Sequence, residues 1–137
     1  MSLTRLLFLV LLVLACGPSA SPVMSAADRR SSLEAELARL PRSTDAGATL
    51  RRSRLLRSLG RQDEALEELG AAVEAAREKL AWNDLALLWR ETGGVQLEQG
   101  RTEQALDTFS KRVKAAASLE EPLVRASALV DSGYAFA

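Results

Sequence analysis

The sequence predicts an all-α fold, an array of antiparallel helix pairs that repeats about every 40 residues. The first observation is recurrence: Gly60-Arg61 returns 40 positions later as Gly100-Arg101. At the same step Ala65-Leu66 is answered by Ala105-Leu106, Leu69 by Phe109, Val73 by Val113, and Ala75-Ala76 by Ala115-Ala116. A further echo pairs Gly93 with Gly133 and Trp89 with Leu129. The second observation is periodicity, because glycines separate stretches whose apolar residues recur at three- and four-residue steps. The third is composition: aromatic content is 4%, and Ala, Leu, Arg and Glu abound, which favours helices over strands. An ordinary helical bundle with coincidental periodicity is the competing reading.

The first residues read as a targeting segment and stand outside the fold. Arg5 supplies a positive start, and Leu6 to Ala15 form an apolar core of ten residues. That is half of the roughly 20 residues a bilayer-spanning helix needs. The core ends in Val13-Leu14-Ala15-Cys16, which resembles the lipobox of bacterial lipoproteins. The resemblance implies a signal peptide over 1–15, cleavage before Cys16, and acyl chains on Cys16. A chance cysteine, with ordinary cleavage near Ala20 or Ala26, is the alternative. Residues 16–26 are small, rich in Ser and Pro and without a period, as a lipidated tether would be. Gly17 rather than Asp after Cys16 favours the outer membrane under bacterial sorting rules.

The folded part is expected over 27–137. In 27–40, Leu33, Leu37 and Leu40 share one helical face, Pro41 stops the helix, and no partner exists at the 40-residue step. It therefore reads as an N-terminal cap. A second helix is expected from about Thr44 to Leu59, with Ala48, Leu50, Leu55, Leu56 and Leu59 inward and Gly60 as its stop. The third opens on Asp63 and Glu64, where acids suit the helix dipole. Its stripe is Ala65, Leu66, Leu69, Ala72, Val73, Ala76 and Leu80. The fourth spans about Asn83 to Gln99, with Leu85, Leu88, Trp89 and Leu97 inward. Its Gly93-Gly94 pair would let a neighbour approach closely. The fifth follows Gly100 and carries Ala105, Leu106, Phe109, Val113 and Ala116. Pro122 suits the first position of a sixth, with Ala126, Leu129, Val130 and Phe136 as its stripe.

Trp89, Gly93, the Gly100-Arg101 turn, Ala105, Leu106 and Phe109 together resemble the tetratricopeptide repeat (TPR) family. Gly60, Ala65, Leu66, Leu69 and Ala72 repeat the pattern one unit earlier, with Ser53 in place of the first-helix glycine. Gly133 and Phe136 begin a third unit. The resemblance covers about 46–137 and implies a right-handed superhelix of two full repeats and one incomplete repeat. It also implies a concave groove that holds a peptide. Mapped residue by residue, Leu50, Arg54, Arg57, Leu87, Arg90, Val130 and Tyr134 face that groove. Converging guanidinium groups there suit an acidic segment or a C-terminal carboxylate. A solvated polar face with local ion pairs is the plainer reading of the same arginines.

No catalytic constellation is present. The chain has no histidine and one cysteine, which removes the commonest general base and most transition-metal sites. No metal or cofactor is expected. Formal net charge is zero, so no global field recruits nucleic acid. Glu64, Glu67, Glu68, Glu74 and Glu78 read as solvated, and Trp82 with Trp89 as helix packing. The expected role is a lipid-anchored scaffold for protein–protein interaction at a bacterial envelope membrane, not an enzyme. The alternative is the regulatory repeat portion of a longer hydrolase or kinase. Leu123, Val124, Leu129, Val130, Tyr134 and Phe136 are too many apolar groups for one buried side, so a further partner helix after Ala137 is expected.

Overall fold

The computed structural model describes residues 24–119 and 122–134, and every regular element among them is a helix. The signal segment, Cys16, most of the tether, and the side chains of Leu123, Val124, Ala126, Tyr134 and Phe136 lie outside the described residues. The helices are α1 (Ala26–Arg39), α2 (Ala46–Ser58), α3 (Gln62–Glu78), α4 (Trp82–Glu98), α5 (Thr102–Ala117) and α6 (Pro122–Tyr134). Each packs on its neighbours in the chain. In addition α2 touches α4 and α4 touches α6, whereas α3 and α5 do not meet among the described residues.

Side-chain caps open the first two helices. Ser25 and Asp28 form a reciprocal capping box, the Asp28 amide donating to Ser25 Oγ at 3.1 Å and the Ser25 amide to Asp28 Oδ2 at 3.3 Å. At α2 the Ala48 amide donates to Asp45 Oδ2 at 2.9 Å. The next three helices have no such cap, and the turns themselves hold their ends. After α3, as after α2 and α4, two bonds close a Schellman turn. Gly60, Leu80 and Gly100 donate to the carbonyls of Arg57, Arg77 and Leu97, while Arg61, Ala81 and Arg101 donate to those of Leu56, Ala76 and Gln96.

The left-handed position of these turns holds Gly60 at φ 75°, Leu80 at φ 51° and Gly100 at φ 72°. Leu80 therefore does not continue the α3 stripe as expected. It occupies the position where glycine costs nothing and an L-residue costs roughly 1–2 kcal/mol. It is also 65% exposed, so burial offsets little of that cost.

One core cluster runs through four helices, joining Ala46 of α2, Leu69, Ala72, Val73 and Ala76 of α3, Leu85, Leu88 and Val95 of α4, and Ala115 of α5. Leu37, Leu56 and Ala65 make a smaller cluster under α1, and Ala105 with Phe109 another. The stripes expected for α3 to α5 are otherwise inward. In α2 the most buried positions are Ala46, Thr49, Arg52, Ser53 and Leu56, so the interior line is mostly polar, flanked by half-buried Leu50, Leu55 and Leu59. In α6 Ala128 is buried while Leu129 and Val130 point outward, contrary to the expected stripe.

The glycine pair divides. A Cβ on Gly94 would meet nothing within 4 Å, and one on Gly93 would lie 2.6 Å from Cε1 of the Phe109 ring. Close approach therefore explains Gly93 alone. Gly93→Ala is expected to destabilise by about 1–3 kcal/mol through overpacking. Forty positions earlier in the sequence stand Ser53 and Leu69, both fully buried, so a Cβ is present there where leucine takes the place of phenylalanine. Phe109→Leu should accordingly recover part of the Gly93→Ala loss in a double-mutant cycle. Strictly additive losses in urea unfolding would show that the two positions are not coupled.

Candidate functional site

Leu50, Arg54 and Arg57 lie on successive turns of α2, and Leu87, Arg90, Glu91 and Gly94 on successive turns of α4. Because α2 and α4 pack side by side, these two rows face each other across a cleft of about 300 Å3. Leu50, Arg54, Arg57, Leu87 and Arg90, all expected in one groove, are thus brought together. Val130 does not line this cleft. It is exposed on α6, and the Tyr134 side chain is outside the described residues.

The arginines are not equivalent. Arg57 donates to Glu91 Oε1 from Nη1 at 2.6 Å and to Glu98 Oε2 from Nε at 3.1 Å, and its Nη2 also bonds Glu98. Hydrogen bonding to Glu98, and then to Glu91, holds its pKa well above the ordinary arginine value. Arg57 therefore staples α2 to α4. Arg90 reaches Asp131 Oδ2 at 3.3 Å and links α4 to α6. Arg54 is exposed and makes no ion pair among the described residues. Of the three groove arginines, only Arg54 has no carboxylate among the described residues to answer it.

Two interior arginines escaped the sequence reading. Arg52 is buried and forks onto Glu68, Nε to Oε2 and Nη2 to Oε1, both at 2.8 Å. Its Nη1 donates to the Leu37 carbonyl at 3.2 Å and also to that of Leu40, capping the end of α1. Glu68, expected in solvent, is correspondingly buried. Arg112 of α5 is 3% exposed and holds α6 through Asp131, the Ser127 carbonyl at 3.2 Å and Ser127 Oγ at 2.8 Å. Burial lowers its pKa, and the Asp131 charge opposes that shift. A periodicity argument scores Arg and Glu as outward. The available signal was Arg52 falling in line with Thr49, Ser53 and Leu56.

Among the described residues no helix is long and apolar enough to cross a membrane. No group of three or more His, Cys, Asp or Glu there could hold a metal ion. No family model, curated protein or solved structure matches the chain.

Proposed function

We propose that the chain is a peptide-binding scaffold of the tetratricopeptide type, with α2, α4 and α6 along the concave side of a right-handed superhelix. Its groove takes an acidic segment or C-terminal carboxylate of another protein. The observation that carries this reading is the α2–α4 cleft, where Leu87 stays 48% exposed beside Arg54, which has no ion pair among the described residues. An apolar wall with one unanswered guanidinium suits a peptide that brings an aliphatic anchor and a carboxylate. The helix order supports the repeat assignment: α3 and α5 open 40 residues apart at Gln62 and Thr102, and α4 and α6 do so at Trp82 and Pro122. Contact between alternate helices α2, α4 and α6, with α3 and α5 apart, suits a sheet of helices curved toward the first set.

The scaffold is held by acyl chains on Cys16 at the periplasmic face of a bacterial outer membrane, with the Ser- and Pro-rich residues after Cys16 as its reach. It acts by binding and carries out no chemistry of its own.

Fluorescence anisotropy tests the groove, using a labelled decapeptide that ends in Leu-Asp-Glu with a free carboxylate. Its amidated Leu-Asn-Gln counterpart should bind about tenfold more weakly or worse, the loss expected for one charge-assisted contact. Arg54→Glu should remove the preference without shifting the melting temperature, because the exposed Arg54 side chain makes no ion pair among the described residues. Equal binding of both peptides, or indifference to Arg54→Glu, overturns the proposal.

A further inference from the structure

The opposite side of α4 carries a second and larger cleft, about 460 Å3, between α3, α4 and α5. It opens because α3 and α5 do not meet among the described residues, which leaves part of α4 uncovered between them. Trp82 and Trp89, seven residues apart and hence on one side of α4, wall it together with Ala115. Trp89 packs against the main core, whereas Trp82 stays 39% exposed.

The rim is basic. Arg77, Lys111 and Lys114 line the cleft against a single carboxylate, Glu74. Arg77 pairs with Glu74 at 3.2 Å, and Lys111 pairs with Asp107 of its own helix at 2.6 Å. Lys114 has no ion pair among the described residues. The last turns of α3 and α5 hold Arg77 and Lys114, where the helix dipole favours cations. The dipole accounts for those charges and not for an exposed indole between them.

We propose that this cleft binds a free single-chain amphipathic anion, an aliphatic body with a carboxylate head. The body lies along the two indoles, and the head meets Lys111 and Lys114. The volume falls within the range of about 300–1,000 Å3 that small-molecule sites occupy. Apolar walls with a few convergent charges are what such a ligand requires. The site is independent of the α2–α4 groove, so either assignment can fail without the other.

Intrinsic fluorescence reports on this cleft alone, because the chain's two tryptophans both line it. The full chain, held in solution by a neutral amphipol, is titrated with decanoate below its micellar concentration. A saturable change in tryptophan emission is expected. Decyl glucoside, with the same chain length and a neutral head, should need about tenfold more ligand for half-saturation. The Lys111→Gln/Lys114→Gln double variant should show a similar loss for decanoate and none for decyl glucoside, with an unchanged circular dichroism melt. Equal response to both heads, indifference to the double variant, or no saturable change overturns the proposal. So does a response to phosphatidylglycerol vesicles without one to decanoate, which would place the anion in a bilayer.

Discussion

Glu68→Ala is expected to lower the unfolding free energy by about 3–5 kcal/mol, the range for removing one partner of a buried ion pair. The Arg52 guanidinium lies between α1, α2 and α3, and hydrogen bonding to Glu68 holds its pKa above the ordinary value against the pull of burial. Without Glu68 the hydrogen-bond partners left to Arg52 among the described residues are the carbonyls of Leu37 and Leu40, which carry no charge to offset a guanidinium shut away from water. The nearby Arg42, whose Nε lies 3.3 Å from Glu68, adds a second cation to the uncompensated site. Replacing both members, as Arg52→Met/Glu68→Leu, should cost much less than Glu68→Ala, because no buried charge is stranded. Urea unfolding of the three chains tests this. A Glu68→Ala loss below about 1 kcal/mol, the range of surface pairs, would mean that water reaches Arg52 and that the pair is not interior.

Leu88→Ala is expected to cost about 2–5 kcal/mol, because the side chain is fully buried at the middle of α4 and its removal leaves a cavity. The cluster around it draws on α2, α3 and α5, so the cavity weakens the contact between successive helix pairs and not one pair alone. In the repeat array proposed above, where each unit leans on its neighbours, such a loss should split unfolding into two steps. Leu87, one residue earlier, faces the groove half-exposed, and Leu87→Ala should change stability by no more than about 0.5 kcal/mol. Comparable losses for the two alanines in denaturant unfolding would show that α4 is rotated from the described register.

Much of the helix layout was legible. The Gly60 and Gly100 stops, the acids of the first turn of α3, and Pro122 each mark a backbone event that a residue type permits or forbids locally. The third turn was harder to read because Leu80 holds the left-handed position there, and no local rule expects a leucine at φ 51°. The groove residues of α2 and α4 were placed by resemblance and lie together. Their ion pairing was not legible: Glu91 and Glu98, which answer Arg57, lie 34 and 41 residues further along the chain. The second cleft was missed altogether. Trp82 and Trp89 were read as packing, and nothing local indicates that α3 and α5 leave a gap over them.

By itself the sequence determined the all-helical class, the stops at Gly60 and Gly100, the start at Pro122, and most of the inward line of α3, α4 and α5. These follow from propensity, capping and the 3.6-residue period, which act within a few residues. Only the tertiary structure decided which polar residues are interior. Arg52 with Glu68, and Arg112 with Asp131, find partners 16 and 19 positions away. A charge is buried or solvated according to whether a distant helix brings its counterpart, and that depends on how the helices pack.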